Sequence, residues 1–312
     1  MYIVTPCFNA AATITGTIAS VIGQQGIGFL RYHVQDGAST DGTQKILEHF
    51  AALIAAEPEN YSHVTFTWAS EKDAGMYDAI NKGVSALDIP ADALMGWLNA
   101  DDIVCEGALE NVHAAAKSLK DVDWFGGVPL ITDMQGRVLG RGRADFSYPR
   151  QLIAQGACDG LHWRNLQQEG TFWRKRLWDA AGGLDPQYRL AGDWDLWRRM
   201  AKHADYVQLP EPIAAFRKRA GQLSEGSAYN EEVERMLPLQ KRRKALRCFL
   251  PKLFFVKTRS AQRSEQGWFV RSQRISLSLK DVLGILFSSC GLYGLLRWCY
   301  RVNDKIRKNL SA

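Results

Sequence analysis

Three oxygen-bearing side chains lie within four residues at the end of an apolar run. Asn99, Asp101 and Asp102 follow residues 93–98, which have the length and bulk of a buried strand. Such oxygens suit a hard divalent cation, since Mg²⁺ is often held by one or two carboxylates together with substrate phosphates. Asn and Asp are also common in turns and at helix N-caps. The stretch alone therefore predicts either a cation site or a turn before the next helix.

A second pair of carboxylates, Asp193 and Asp195, lies at the start of a predicted helix. Two residues apart, these side chains leave the helix in different directions, so they cannot share one role. Placement at a helix N-terminus would by itself explain both, because carboxylates are stabilising there. Asp36 and Asp73 could also have purely structural roles. Asp36 precedes a glycine in a turn-rich loop, and Asp73 precedes a helix.

The elements that must position these side chains repeat along the first 120 residues. Residues 2–5, 31–35, 64–68 and 93–98 read as strands, and each is followed by a polar loop and then by apolar residues at helical spacing. Four strand–loop–helix units predict an α/β fold with a mostly parallel sheet, flanked by helices, and right-handed crossovers. The polar loops then share one sheet edge, where ligands bind in open α/β sheets.

The chain changes character after residue 120, and we predict three segments. Residues 1–120 form the first half of the main fold, residues 121–234 its second half, and residues 235–312 an extension. The second half is expected to contain a hairpin over residues 123–143. Its last edge strand is predicted at residues 206–217, where prolines guard the start of the strand.

Residues 235–312 are strongly basic. They hold 18 Lys and Arg against 3 Asp and Glu, or +15, whereas the rest of the chain has 21 against 30, or −9. Within them, residues 282–296 carry no charge but are fewer than the roughly 20 that a spanning helix needs. We predict amphipathic helices that lie on an anionic membrane surface, and the apolar runs disfavour nucleic acid as the partner. The alternative is a helical subdomain packed on the body, or an oligomer contact.

The cysteines and the first residues bear on the cellular compartment. The six cysteines form no C-x-x-C pair and no metal-binding spacing, which is typical of reduced thiols. The chain enters a strand at once, without the basic and apolar regions of a signal peptide. We therefore expect a cytoplasmic protein that is peripheral at the inner face of the cell membrane.

These motifs recur in a recognisable order. They are Thr5-Pro6 with Asn9, VQDGASTDGT at 34–43, EKDAGMYDAINKG at 71–83, WLNADD at 97–102, QEGTFWR at 168–174 and GDWDLWR at 192–198. Over about residues 1–220 the chain resembles the family 2 glycosyltransferases of GT-A fold. The resemblance implies an inverting transferase of the bacterial polysaccharide type. It implies a nucleotide-sugar donor, expected to be UDP-linked, and a divalent metal, Mg²⁺ or Mn²⁺.

The resemblance also implies roles for individual residues. Asp101 is the implied metal ligand, and Asp193 the implied general base that deprotonates the acceptor hydroxyl. Asp195 is then structural and is expected to pair with Arg198 or Arg199. The nucleotide and the donor sugar are assigned to Thr5, Pro6, Asn9, Asp36, Asp73, Asn99 and Asp102. Weaker acceptor-side candidates are His162, Glu169 and Trp194.

One departure from the family pattern keeps other functions open. Asn99 occupies the first acidic position of the family's D-x-D, which lowers the negative charge and the expected metal affinity. A catalytically lapsed scaffold or binding subunit at the membrane is therefore an alternative. A sugar nucleotidyltransferase would want a Gly-rich basic loop after the first strand, which residues 6–9 lack. Basic residues 217–224 are expected to close over the diphosphate, the acceptor to be a membrane-bound or lipid-linked saccharide, and an oligomer is possible.

Overall fold

The structure is a computed structural model that describes residues 1–143, 148–160, 162–219, 221–222, 227–252, 255–274, 283, 285–287 and 289–292. Its strands are β1 (Tyr2–Cys7), β2 (Leu30–Asp36), β3 (Val64–Ser70), β4 (Leu94–Trp97), β5 (Ile103–Val104), β6 (Trp124–Gly126), β7 (Leu130–Asp133), β8 (Val138–Arg141), β9 (Thr171–Arg174), β10 (Val207–Gln208), β11 (Ala214–Lys218), β12 (Lys257–Ser264) and β13 (Gly267–Arg274). Its helices are α1 (Ile14–Ile22), α2 (Thr43–Ala56), α3 (Met76–Ser85), α4 (Ala108–Ser118), α5 (Arg150–Ala154), α6 (Lys175–Ala181), α7 (Gly192–Met200), α8 (Ala228–Met236) and α9 (Leu239–Phe249). A 3₁₀ turn at Leu250–Lys252 follows α9.

One large sheet forms the centre, with strand order β13-β12-β10-β6-β9-β4-β1-β2-β3. Within the group β1 to β4, every pair of neighbouring strands is parallel, as the four strand–loop–helix units predict. Every residue of β1 is buried, because helices cover both faces of the sheet. The loops after these strands therefore meet at one edge, where Ser70 Oγ at the end of β3 donates to Asp36 Oδ2 at the end of β2 at 2.6 Å.

The second half reverses strand direction and adds a smaller sheet. Strand β9 runs antiparallel to both β4 and β6, and β7 and β8 form the predicted hairpin. Residues 123–132 are two strands rather than one, because the chain leaves the central sheet at Gly127. A Cβ on Gly127 would lie 2.8 Å from the carbonyl oxygen of Glu211, so a larger residue does not fit this crossing. The smaller sheet has the order β5-β11-β7-β8.

The prediction of one edge strand over residues 206–217 is wrong. Strand β10 lies inside the central sheet, parallel to both β6 and β12. Strand β11 lies in the smaller sheet between β5 and β7. Pro210 and Pro212 separate the two strands, and a residue without a backbone N–H cannot continue a ladder, so the chain changes sheet there.

The prediction of a helical extension over residues 235–312 is wrong for residues 257–274. Helix α9 agrees with it, but residues 257–274 form a hairpin that joins the central sheet through β10. The short side chains of Thr258, Ser260 and Ala261 are buried, which lets β12 pack closely. Gly267 has a φ of 117°, which favours glycine at the tight reversal into β13. The high charge of this segment hides its strand pattern.

Two apolar cores lie on the two faces of the central sheet. One contains the inner sides of α1, α2 and α4, represented by Ile18, Leu47 and Val112. The other contains those of α3, α5, α6, α7 and α9, together with a cluster of tryptophans. In that cluster Trp97 of β4 stacks on Trp197 of α7, with ring centroids 5.6 Å apart. This contact ties the strand that precedes Asn99 directly to the helix that carries Asp193.

Helix α9 is fastened to the body by a buried arginine and two apolar side chains. Arg242, 4% exposed, bonds the carboxylate of Asp159 and donates to Glu234 Oε2 at 2.8 Å. Leu246 and Phe249 are buried in the second core. Within the described residues no helix is both long and apolar enough to cross a bilayer. The uncharged stretch 282–296 lies largely outside the described residues.

Candidate active site

The turn after β4 holds Asn99 and Asp102 in a network that spans the fold. Asp102 is fully buried, and its Oδ1 accepts the backbone N–H of Arg217 at 2.8 Å. Asn99 Nδ2 donates to Asp102 Oδ2 and to Gln168 Oε1, both at 3.3 Å. Gln168 Nε2 in turn donates to the carbonyl oxygen of Trp97 at 2.6 Å. Residues before β9 and in β11 thus hold the turn in place.

Two arginines at the end of β11 contact this turn in different ways. Arg217 is buried, and its Nε donates to the carbonyl oxygen of Asp101 at 2.5 Å while one Nη donates to Thr17 Oγ1 at 3.2 Å. Arg219 is more exposed, and its Nε lies 2.9 Å from Asp101 Oδ2. Among the basic residues predicted to close over the diphosphate, Arg217 therefore supports the turn. Arg219 pairs with the carboxylate that is expected to bind the metal.

The oxygens at the turn fit a hard cation. Asn99 Oδ1 is buried and has no hydrogen-bond partner among the described residues, and an unsatisfied buried oxygen costs free energy that a cation would recover. Asp101 presents a carboxylate that is already paired with a cationic group, Arg219. The described residues contain no group of three or more His, Cys, Asp or Glu placed to hold a metal. The set therefore fits Mg²⁺ or Mn²⁺ only with phosphate oxygens or water as further ligands.

Asp36 ends β2 and is fully buried beneath the edge. Its Oδ2 accepts the backbone N–H of Ser39 at 3.0 Å and the hydroxyl of Ser70 at 2.6 Å. Its Oδ1 accepts the hydroxyl of Ser39 at 2.5 Å. These bonds fix the loop after β2 and join it to the end of β3. Contact between Asp36 and a nucleobase stays a prediction.

Thr5, Pro6 and Asn9 surround the end of β1. Thr5 is fully buried, with its Oγ1 2.9 Å from Tyr32 Oη, and Pro6 is buried in the strand. Asn9 has a φ of 48°, in the left-handed region that Asn tolerates better than most residues. Its Oδ1 accepts the backbone N–H of Thr40 at 3.0 Å. Asn9 therefore ties the loop after β1 to the loop after β2.

A ring that the sequence reasoning missed lies beside these loops. Phe8 is 64% exposed, although it follows a wholly buried strand. A Cβ on Gly37 would lie 3.3 Å from the Phe8 ring and 2.6 Å from Asp73 Oδ2, so the ring and the carboxylate flank this glycine. Asp73 Oδ1 also accepts the backbone N–H of Gly75 at 2.9 Å. The signal for Phe8 was a large aromatic residue in a polar loop at the ligand-binding edge.

Asp193 lies in the first turn of α7. Its Oδ1 accepts the backbone N–H of Trp194 at 2.7 Å, and its own N–H donates to Tyr77 Oη at 3.4 Å. The pKa of Asp193 is raised to about 6, mainly by burial, with hydrogen bonds opposing the rise and the charge of Glu232 adding to it. A carboxylate with a pKa near neutrality matches the requirement of a general base.

Glu169 connects the two sides of the site electrostatically. Burial raises the pKa of Glu169, and the negative charges of Asp193 and Asp101 add to the rise. Burial also raises the pKa of Asp102, with Glu169 and Asp101 as further causes. These couplings require the carboxylates to lie near one another. The structure therefore brings the predicted metal ligand, the predicted base and Glu169 to one region.

A comparison with known proteins places the chain in a family. The profile of Glycosyl transferase family 2 matches residues 2–162. The chain belongs to this family. It is 27% identical over 194 residues to the PGL/p-HBAD biosynthesis glycosyltransferases of Mycobacterium bovis (strain BCG / Pasteur 1173P2) and Mycobacterium tuberculosis (strain ATCC 25177 / H37Ra). The match covers 62% of this chain, and the chain spans 66% of the length of each relative.

Solved structures confirm the fold of this family member. S. aureus TarS has a TM-score of 0.56 at 14% identity, covering 81% of this chain and 43% of TarS. TarS 1–349 in complex with UDP has a TM-score of 0.54 at 14% identity, with 78% and 64% covered. The mannosyltransferase PcManGT from Pyrobaculum calidifontis in complex with GDP-Man and Mn²⁺ has a TM-score of 0.50 at 17% identity, with 80% and 64% covered. The predicted GT-A type α/β fold is thus confirmed.

Two acceptor-side candidates of this family member are packed inside the protein. His162 is 3% exposed, and its Nδ1 lies 2.8 Å from Asp159 Oδ2. Trp194 is 2% exposed, and the guanidinium of Arg198 lies 4.7 Å from its ring centroid. Neither side chain presents a face to solvent here, and an acceptor contact by either stays a prediction. Asp195 pairs with Arg198 and Arg199, as expected for a structural carboxylate.

Gln168 and Tyr77 are two further supporting residues that sequence reasoning missed. Gln168 joins Asn99 to the end of β4, and Tyr77 of α3 contacts the backbone of Asp193. Both contacts join residues far apart in the chain. Gln168 lies beside Glu169 in the motif at residues 168–174, and Tyr77 lies in the motif at residues 71–83, which was the signal for each.

Proposed function

We propose that the protein is an inverting, metal-assisted glycosyltransferase. It moves a sugar from a nucleotide-sugar, expected to be UDP-linked, to a membrane-bound or lipid-linked saccharide of the kind used in polysaccharide and cell-envelope assembly. The observation that carries the proposal is the turn after β4 in a family 2 fold, where Asn99 Nδ2 lies 3.3 Å from both Asp102 Oδ2 and Gln168 Oε1 and Glu169 is the next residue in the chain. The UDP complex of TarS and the GDP-Man and Mn²⁺ complex of PcManGT, which share the fold, support a nucleotide and a metal here.

The acceptor side supplies the proton acceptor. In a single displacement, the acceptor oxygen attacks the anomeric carbon while the bond from that carbon to the diphosphate oxygen breaks. The acceptor hydroxyl gives its proton to the Asp193 carboxylate, which is prepared for this by a pKa of about 6. The nucleotide diphosphate leaves with the electron pair of the broken bond, and the anomeric configuration is inverted.

The donor side supplies charge and orientation. Asp101 and Asn99 Oδ1 would hold the divalent cation, which stabilises the negative charge that develops on the leaving diphosphate. Gln168 and Asp102 keep Asn99 oriented by the bonds described above. The guanidinium of Arg219 must leave Asp101 Oδ2 or share it when the cation binds, and a phosphate oxygen is a suitable new partner for it.

Phe8 gives the donor site an aromatic surface. Its ring is 64% exposed beside Asp73, and every nucleobase offers a face on which such a ring can stack. Base stacking contributes on the order of 1–3 kcal/mol. Phe8→Ala is therefore expected to weaken UDP binding about tenfold in a calorimetric titration. If Phe8→Ala binds UDP as tightly as the wild type does, the Phe8 ring is not part of the donor site.

Calorimetric titration with nucleoside diphosphates, with and without Mn²⁺, is the experiment that tests the proposed function. We expect UDP to bind and the affinity to increase with Mn²⁺. A donor screen with UDP-sugars and a lipid-linked saccharide then follows, with transfer detected by mass spectrometry. Binding without transfer by any donor would favour the lapsed scaffold. No binding of any nucleotide would overturn the transferase assignment.

We further propose that helix α9 lies on an anionic membrane surface. Its side opposite Arg242 and Leu246 exposes Lys241, Lys244 and Arg247, which recur at helical spacing. Phe255, 76% exposed, follows the helix and offers an apolar group for the interface. Basic residues near an anionic leaflet contribute about 1 kcal/mol each, so three of them form a useful electrostatic contact. This arrangement would keep the catalytic edge near a lipid-linked acceptor.

Vesicle co-sedimentation tests the membrane contact. The wild type is expected to sediment with vesicles that contain an anionic lipid and not with vesicles made only of zwitterionic lipid. Combining Lys241→Ala, Lys244→Ala and Arg247→Ala should weaken binding about 100-fold, at about 1 kcal/mol per charge. A control variant that replaces the exposed Lys45, Lys117 and Lys120 with alanine removes equal charge elsewhere. Equal losses in both variants would contradict a specific face.

A further inference from the structure

A buried carboxylate outside the predicted site holds the chain just before Asp193. Glu232 lies in α8 and is 8% exposed. Its Oε1 accepts the backbone N–H of Arg189 at 2.9 Å, and its Oε2 accepts those of Leu190 and Ala191, both at 2.7 Å. Three successive N–H groups thus converge on one carboxylate. Charge-assisted bonds of this kind are stronger than neutral ones.

These three N–H groups belong to the entry into α7. Helix α7 begins at Gly192, and Asp193 is its second residue. On the other side of this entry, a Cβ on Gly192 would lie 2.6 Å from the Tyr77 ring, and Tyr77 Oη accepts the N–H of Asp193. The first turn of α7 is therefore held between α3 and α8. The carboxylate of Asp193 has little freedom to move relative to the rest of the site.

The charge of Glu232 is not cancelled by a neighbouring cation. Among the residues that the structure describes, no lysine or arginine nitrogen is found within 4.0 Å of its carboxylate. The apolar cluster of Ala191, Trp194 and Val233 beside it limits screening by water. Its negative charge therefore reaches Asp193 through a poorly screening medium.

We infer that Glu232 is a positioning residue for the general base. It fixes the backbone entry into α7 and thereby the position of the Asp193 carboxylate. The inference rests on the proposed function, because it takes Asp193 as the base. Glu232 itself touches neither the acceptor nor the donor in this role, and it acts through residues 189–191.

The groups that face Asp193 come from several elements. Tyr77 comes from α3, Glu169 precedes β9, and Tyr229 and Glu232 come from α8. Burial is the largest cause of the raised pKa of Asp193, the Tyr77 hydroxyl lowers this pKa, and the charge of Glu232 raises it. The Tyr229 hydroxyl is buried without a hydrogen-bond partner. Of these groups, Glu232 is the carboxylate that also bonds the backbone before α7.

The experiment compares three glutamate variants in the full-length chain. Glu232→Gln removes the charge and places an amide N–H₂ against backbone N–H groups. Glu232→Asp keeps the charge but draws the carboxylate away from these N–H groups. Glu231→Gln is the matched control, because Glu231 is an exposed neighbour on α8 whose carboxylate bonds the Ser227 hydroxyl. For each variant, kcat, the donor KM, the pH profile of kcat and the UDP affinity are measured.

We expect Glu232→Gln to lower kcat by about 10- to 100-fold, as loss of a supporting residue typically does, with the donor KM and UDP affinity nearly unchanged. The acid limb of its pH profile should move to lower pH, because removal of a negative charge lowers the pKa of Asp193. In Glu232→Asp, kcat should fall while the acid limb of the pH profile stays close to its wild-type position. Glu231→Gln should behave as the wild type. Thermal unfolding and UDP binding confirm that each variant is folded.

Three results would overturn the inference, and they can be told apart. If Asp193→Asn abolishes transfer while Glu232→Gln keeps the wild-type kcat and acid limb, Glu232 has no positioning role although the proposed function stands. If Asp193→Asn is itself fully active, the assignment of the base fails and the role of Glu232 fails with it. Should Glu232→Gln unfold, Glu232→Asp decides: an unchanged kcat in that variant also removes the positioning role.

Discussion

The donor and acceptor sides of the site use the same residue type in opposite surroundings. Asp101 is paired with the guanidinium of Arg219, and Asp36 accepts bonds from two serines. Asp193 is paired with no cation among the described residues, and Glu169 and Glu232 lie near it. Asp101 and Asp36 therefore have cationic or hydrogen-bonding partners, whereas burial raises the pKa of the acceptor-side Asp193.

This difference teaches how one edge can serve two chemical tasks. A carboxylate that must hold a cation should be ionised at every working pH, and hydrogen bonds and cationic neighbours favour that form. A carboxylate that must accept a proton works best with a pKa near the working pH, and burial beside other negative charges produces it. The predictions below test each side of this comparison, in order of expected effect.

The largest effect is expected on the acceptor side from Asp193→Asn. An amide cannot accept the proton of the acceptor hydroxyl, and general base catalysis typically contributes 10²- to 10⁴-fold, so kcat should fall about 1,000-fold. UDP binding should be unchanged. Single-turnover transfer measures the loss of kcat, and calorimetry measures UDP binding. Asp179→Asn is the control, because Asp179 is an exposed carboxylate on α6 that pairs with Lys175. Comparable activity of both variants would contradict the role of Asp193.

On the donor side, Asp101→Ala should remove the effect of metal on nucleotide binding. In the wild type, Mn²⁺ is expected to increase UDP affinity. In Asp101→Ala this increase should be about 100-fold smaller, since a bound cation stabilises a diphosphate by several kcal/mol. Calorimetry with and without Mn²⁺ measures this gain. Asp133→Ala is a close control, because Asp133 is a similarly shielded carboxylate paired with Arg137. If Mn²⁺ still strengthens UDP binding to Asp101→Ala, the cation site lies elsewhere.

The parallel half of the fold could be predicted because its signals are local. Each strand from β1 to β4 is a short apolar run followed by a polar loop and a periodic helix, so the shared edge follows from topology. The second half could not be predicted to the same degree. Strand β10 is two residues long, and its place inside the sheet depends on contacts with β6 and β12.

The site shows the same division. Asp101 and Asp193 belong to sequence motifs, and the structure places both near Glu169. Glu232 belongs to no motif that was recognised as part of the site, and Arg219 was expected to close over the diphosphate rather than to pair with Asp101. Each acts on a residue more than 35 positions away in the chain. Their effects come from tertiary packing and from charge across space. No periodicity or spacing in one sequence reports such pairs.

The pH dependence of the reaction tests the acceptor side with a smaller effect. Asp193 works as the carboxylate, and its pKa is raised to about 6, so it is protonated and inactive below that pH. The kcat should therefore rise with pH through about 6 and level off above 7, with a difference of about tenfold between pH 5 and pH 7. A pH profile of kcat at saturating donor measures it. A profile that stays flat down to pH 4.5 would show that Asp193 retains an ordinary aspartate pKa.

The smallest effect tests whether Arg219 and the metal compete for Asp101. In Arg219→Ala the ion pair to Asp101 Oδ2 is gone, so Mn²⁺ no longer has to displace a guanidinium. Because a partly exposed ion pair contributes about 0.2–1 kcal/mol, Mn²⁺ affinity in the absence of nucleotide should rise about two- to five-fold. Electron paramagnetic resonance of free Mn²⁺ measures this without any turnover. Arg137→Ala, which breaks the Asp133 pair on β7, is the control and should leave Mn²⁺ binding unchanged.

A decrease in Mn²⁺ affinity in Arg219→Ala would mean that the arginine supports the cation site rather than occupying it. The donor side would then be preorganised for metal in the same way that the acceptor side is preorganised for a proton.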